Sequence, residues 1–218
     1  MNETLGIEAV LVLLVITNLL LLGSARLSSC IRLVALQGIV IGLLPLMVLE
    51  TAHIGRALGL AAANMALKGG LFPFLLSRIL RESGARREDK PFVGFTLSVA
   101  AGVAALVFCL WVGARLDLAR VVSDASPLMV SSGFAAILVG LFLIVTRRTA
   151  VSQVLGYIVI ENGTYTLGVA LVSGVPMLVE LGVLMDAFVA VFIMGIAAYH
   201  IYREFDHIEV DQLDRLKG

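Results

Sequence analysis

Charge is scarce in this chain: 15% of its 218 residues are Asp, Glu, Lys or Arg, against 60% apolar and a mean hydropathy of +1.02. No soluble domain of this size needs so many apolar residues to fill one core, so the composition specifies a polytopic membrane protein. Long polar stretches are also lacking. The two longest, about residues 82–91 and the tail from Arg203, cannot bury a core, which excludes a soluble catalytic domain within this sequence. Cysteine is nearly absent: Cys30 and Cys109 stand far apart, with no CxxC or Cys/His spacing for zinc or an iron-sulfur cluster, and are expected to be packing residues. Glu3 and Glu8 precede or open the first apolar run with no basic residue before it. The n-region of a secretory signal is therefore missing, and the first helix is expected to be retained. Histidine offers no haem site, because His53 falls near the outer helix ends, His200 near the inner ends and His207 in the tail. There is no Gly-rich phosphate loop, Walker lysine or nucleophile motif, and nothing suggests nucleic-acid binding. The expectation is a non-catalytic chain that holds no cofactor or metal of its own.

What is present is a series of apolar runs. Seven spans are predicted, at 5–23, 30–49, 54–81, 92–114, 127–146, 150–172 and 177–202, each near or above the roughly 20 residues a crossing requires. The fold class is therefore all-α, a transmembrane helix bundle. Loops assigned to one side collect twelve Lys and Arg residues, including the cluster Arg78, Arg81, Arg86, Arg87 and Lys90; the other side has Arg56, Arg115 and Arg120. The positive-inside rule then puts the N-terminus out and the C-terminus in. A composition shift near 115–127 divides the chain into a four-helix region, 1–120, and a three-helix region, 121–218, with no convincing internal repeat. Gly38/Gly42 and Gly55/Gly59 have the spacing that lets helices approach closely. Pro73, just beyond Lys68-Gly-Gly, predicts a kink in the third span.

Three ionisable residues fall near mid-membrane on different spans: Lys68, Glu161 and Asp186. Insertion scales place an acid at the bilayer centre about 2.5 to 3.5 kcal/mol uphill, so such a residue is expected to face the bundle interior with a partner. Glu161 lies at the centre of its span, with Tyr157, Thr164, Tyr165 and Gly168 on roughly the same helical face. Asn64 lies four residues before Lys68 on one face. Groups at one depth on adjacent helices can form a chain across the membrane plane. Burial disfavours an ionised Glu161 and a nearby ammonium favours it, so a lysine that moves could load and unload the acid. The bland alternative is a Lys68–Glu161 ion pair that only fixes helix register. Asp186 heads a face with Ala190, Ile193, Ala197 and His200, a candidate proton exit, although a histidine at a helix end is also a common interfacial anchor. Gln153 and Asn162 are polar enough to hold water or a neighbouring helix.

The run Gln153-Val-Leu-Gly-Tyr-Ile-Val-Ile-Glu-Asn-Gly163, followed by Pro176-Met-Leu-Val-Glu-Leu-Gly-Val-Leu-Met-Asp-Ala-Phe-Val-Ala-Val191 and ending Leu213-Asp-Arg-Leu-Lys-Gly218, resembles membrane component E of hydrogenase-4. The likeness is dense from about 140 to 218 and looser before, where Lys68 with Pro73 also fits. It implies a subunit of a group 4 nickel-iron hydrogenase or formate hydrogenlyase-type complex in a bacterial or archaeal cell membrane. Its partners would be antiporter-like membrane subunits and the hydrogenase module. The last three helices are similar to the K subunit of NADH:quinone oxidoreductase and the C subunit of multi-subunit sodium/proton antiporters, which implies that Glu161 is the mid-membrane glutamate of a lateral proton or sodium path. The K subunit carries a second glutamate where this chain has Asp186 nearer the outer end. The residues expected on the path are Glu161, Lys68, Asp186, His200, Tyr157, Tyr165, Gln153 and Asn64. The alternatives are a structural subunit that docks antiporter-like partners, a stand-alone ion transporter, or a quinone-binding subunit.

Overall fold

The computed structural model describes residues 2–48, 58–59, 61–62, 64–82, 91–115, 127–171 and 193. They form α1 (Asn2–Gly23), α2 (Leu27–Gly42), a short α3 (Leu44–Val48), a π-helical segment (Met65–Leu71) running into α4 (Phe72–Glu82), then α5 (Phe95–Arg115), α6 (Pro127–Thr146) and α7 (Ala150–Leu171). The architecture is an all-α polytopic bundle, with no strand element among the described residues. Among those residues three helices, Leu5–Gly23, Phe95–Arg115 and Leu128–Thr146, are long and apolar enough to cross a membrane by themselves. α7 is equally long but carries Gln153, Glu161 and Asn162, and it runs through the interior. From Val151 to Ala170, Gln153 is its one exposed residue.

Four details depart from the expected spans, each for a local reason. α2 begins at Leu27, three residues earlier than its apolar run. The second span breaks at Leu43, two residues before Pro45, which has no N–H to offer the carbonyl of Ile41. The fourth span begins at Phe95 because the Phe92 N–H is committed to the Thr146 carbonyl at 2.9 Å. The third span is distorted near Pro73, as the sequence predicted, but as a π turn and not a simple bend. Pro73 cannot donate to the turn before it, and the Phe72 N–H reaches five residues back to the Leu67 carbonyl.

α6 and α7 pair most extensively, and glycine sets their spacing. A Cβ on Gly140 would lie 2.5 Å from the Gly156 carbonyl oxygen, and one on Gly156 would lie 2.8 Å from that of Gly140. Gly133 and Gly163 repeat the arrangement two turns away, at 3.0 and 2.6 Å. Without side chains at these crossings the two backbones touch.

One end of the bundle is basic. Arg147 donates to the Leu22 carbonyl at 2.6 Å, a cation at the C-terminal end of α1, and lies 4.6 Å over the Phe95 ring. Arg148 lies 4.2 Å over Phe92. These contacts bring the ends of α1 and α6 and the starts of α5 and α7 to the same side.

Along the bundle axis the packing alternates. One apolar cluster near the basic end takes Leu21 and Leu22 from α1, Ile31 and Val34 from α2, and Val154 to Val159 from α7. A second, toward the opposite end, takes Val10 to Leu14, Ile41, and Tyr165 to Ala170. Between the clusters, the residues that these helices bury are polar or glycine: Thr17 and Asn18, Gln37 and Gly38, and Glu161, Asn162 and Gly163.

Candidate functional site

That polar layer is the candidate site. α1 contributes Thr17 and Asn18, α2 contributes Gln37, the π segment contributes Lys68 and α7 contributes Glu161 and Asn162; all are buried. Their order along the chain explains the layer. On α1, α2 and α7 the polar residues stand one turn from apolar residues of both clusters, so packing the clusters forces them to one depth, and Lys68 stands one turn from Phe72 of the cluster near the basic end.

Lys68 and Glu161 meet at its centre. Lys68 Nζ lies 2.6 Å from Glu161 Oε1, and the residues are 1% and 2% exposed. The ammonium also donates to Asn162 Oδ1 at 3.1 Å and lies 5.1 Å from the centre of the Tyr165 ring. Two features let the lysine enter so deeply. The π turn places it toward α7, and Gly38 of α2 faces it, where an added Cβ would collide with the Lys68 side chain. Gly42 likewise faces Met65 at 3.2 Å, so the Gly38/Gly42 pair serves packing, at the site itself.

From Asn162 the layer continues outward. Asn162 Nδ2 donates to Gln37 Oε1 at 3.4 Å, and Gln37 Nε2 donates to Thr17 Oγ1 and Asn18 Oδ1, both at 2.8 Å. Thr17 Oγ1 donates to the carbonyls of Leu13 at 2.7 Å and Leu14 at 2.9 Å. A hydrogen-bonded chain thus crosses the bundle from α7 through α2 to α1. Chemically, the centre holds one acid and one base in direct contact between two apolar clusters, with amides beside it and Asn64, Tyr157 and Tyr165 one turn away along their helices.

The structure sorts the residues singled out from the sequence. Lys68, Glu161, Asn162 and Tyr165 come together. Asn64 is buried one turn before Lys68, with its Cβ 3.7 Å from the position a Gly42 Cβ would take. Tyr157 is half-buried one turn before Glu161, against the apolar cluster near the basic end. Thr164 spends its hydroxyl on the Ile160 carbonyl at 3.0 Å. Gln153 is not brought to the centre: it is exposed near the start of α7 and donates to the Arg147 carbonyl at 3.4 Å. Asp186, His200, His53 and Gly55 lie outside the described residues, while Ile193, from the face headed by Asp186, is fully buried in the core. Gln37, Thr17 and Asn18 were not singled out. Their signal was available, since amides and hydroxyls inside apolar spans seek buried partners as charges do, at lower cost.

The chain matches the family NADH-ubiquinone/plastoquinone oxidoreductase chain 4L over residues 128–218. It is 30% identical over 207 residues to an uncharacterized protein of Mycobacterium tuberculosis, covering 94% of this chain and 92% of that protein. It is 28% identical over 158 residues to hydrogenase-4 component E of Escherichia coli and, to the same extent, of Shigella flexneri, covering 72% of this chain and 72% of each relative. No solved structure gives a significant match.

Proposed function

We propose that this chain, which matches the chain 4L family over residues 128–218 and is 28% identical to hydrogenase-4 component E, is a non-catalytic membrane subunit of a hydrogenase-4 or formate hydrogenlyase-type respiratory complex. In this reading Glu161 carries a proton along a lateral path in the membrane plane and Lys68 modulates its loading. Redox metals reside in partner chains, a nickel-iron hydrogenase module among them, and antiporter-like membrane subunits flank this one in a bacterial or archaeal cell membrane. Residues 121–218 act as the K-subunit-like module, a division supported by the family match beginning at residue 128. Asp186 and His200 are weaker stations on the same path.

The observation that carries this reading is the 2.6 Å contact between Lys68 and Glu161 in a polar layer closed above and below by apolar packing. In this reading the pair exchanges protons with titratable groups near its own depth, not through the amide row. Glu161→Gln keeps the shape of the side chain and removes its proton chemistry. In vesicles containing the intact complex, hydrogen turnover by the partner chains is expected to persist while coupled proton movement falls. Unchanged proton movement removes Glu161 from the path. Loss of the assembled complex on a native gel, with flux per assembled complex unaltered, indicates a purely docking subunit.

A further inference from the structure

We propose that Gln37 is a positioning residue for Lys68: it holds the Asn162 side-chain carbonyl toward the lysine ammonium, so that the ammonium keeps a partner while Glu161 is neutral. This assignment rests on Glu161 as proton carrier and names what lets the ion pair come apart.

The orientation follows from counting hydrogens. The Thr17 hydroxyl has one, and its oxygen lies 2.7 and 2.9 Å from the carbonyls of Leu13 and Leu14, which can only accept. Toward Gln37, Thr17 can therefore only accept. The Gln37 nitrogen must face α1, where Asn18 Oδ1 is its second acceptor, both at 2.8 Å. That leaves Gln37 Oε1 facing α7, where it accepts from Asn162 Nδ2 at 3.4 Å, and turns Asn162 Oδ1 to the ammonium at 3.1 Å. Backbone carbonyls in α1 thereby decide which way an amide on α7 points.

The consequence is electrostatic. Each N–H in the row points away from Lys68 and each side-chain carbonyl points toward it, the arrangement that favours a cation. The row ends on backbone carbonyls, which neither take up nor release a proton, so it supports the charge without being a branch of the path. Such support is needed when Glu161 is protonated. The counter-charge at 2.6 Å is then gone, and a buried ammonium that loses it depends more on the acceptors that remain, Asn162 Oδ1 among them. Titratable groups that face the ammonium include Glu161 and Tyr165, both on α7; α1 and α2 contribute Thr17, Asn18, Gln37 and Gly38 to the layer, none of which titrates.

The test is Gln37→Met in the intact complex, which keeps the volume and removes both amide functions. Two readouts are taken in vesicles: proton translocation normalised to hydrogen turnover, and the infrared carboxyl absorption assigned to Glu161 by its loss in Glu161→Gln. A fall in translocation of up to roughly tenfold is expected, the upper end of what one hydrogen bond between neutral groups carries. The Glu161 band should shift, which a packing defect elsewhere would not produce. Thr17→Val, which leaves Gln37 one of its two acceptors on α1, is expected to move both readouts less and in the same direction, and it decides the matter if Gln37→Met does not assemble. Native translocation with an unmoved band in the assembled variant, while Glu161→Gln is impaired, overturns the role of Gln37 alone. Native translocation in Glu161→Gln overturns the proton-carrier reading beneath it.

Discussion

Lys68 and Glu161 neutralise each other in a place where an isolated charge is costly. A buried ion pair gains little net stability over apolar residues of similar volume, but removing one partner strands the other's charge and costs about 3 to 5 kcal/mol. Lys68→Met is therefore expected to lower the thermal stability of the detergent-solubilised complex by that order, and Lys68→Met with Glu161→Leu to recover most of it. A single variant as stable as wild type would mean that water reaches the carboxylate. Both residues were legible in the sequence because a charge inside an apolar run has few bland explanations. That they touch was not, since sequence gives depth along each helix but not which helices adjoin. Gln37, Thr17 and Asn18 escaped notice because a neutral polar residue in a membrane helix is common, and their meaning comes from the hydrogen bonds that link them.

At the scale of elements, the site depends on how close helices come. Gly140→Ala would drive a methyl group to within 2.5 Å of the Gly156 carbonyl, where backbone on both sides leaves no flexible atom to yield. A destabilisation of about 1 to 3 kcal/mol, the usual range for overpacking, is expected in thermal unfolding. Gly70→Ala, with nothing within 4 Å, should be close to neutral. If the two variants melt alike, α6 and α7 are not in backbone contact. The four-residue spacing of Gly38 and Gly42 was visible in advance. The seven-residue spacing of Gly133 with Gly140 and Gly156 with Gly163 was not sought, although it is what two full turns between antiparallel crossings require. Pro73 announced a distortion but not its kind, because a missing donor can be accommodated by a bend or by a wider turn, and the packing of Lys68 against Gly38 selects between them.

For the whole molecule, the outer faces of α1 and α5 are apolar and exposed, with Val12, Leu20, Leu97, Val107 and Trp111 each more than half exposed. In water this would drive aggregation; in a bilayer it is the expected exterior. The bundle and the limits of the fifth and sixth spans followed from hydropathy alone because lipid imposes length and polarity on every helix, while the seventh span, 177–202, lies outside the described residues apart from Ile193. The basic end, with Arg147 and Arg148 near the C-terminal end of α1, is expected to face the cytoplasm. Single cysteines at Ser24 and Thr149 should both react with an impermeant maleimide in inside-out vesicles and be protected in right-side-out ones, against buried native Cys30 and Cys109. Opposite labelling of the two positions would contradict the helix count between them.

The most direct measurement is an infrared difference spectrum of the complete complex between resting and turning-over states, with carbon-13 in the glutamate carboxyl groups. Proton carriage by Glu161 predicts an isotope-shifted carboxyl band in the wild type that is absent from Glu161→Gln. Identical difference spectra for the two proteins would mean that this carboxyl keeps one protonation state throughout turnover and carries nothing.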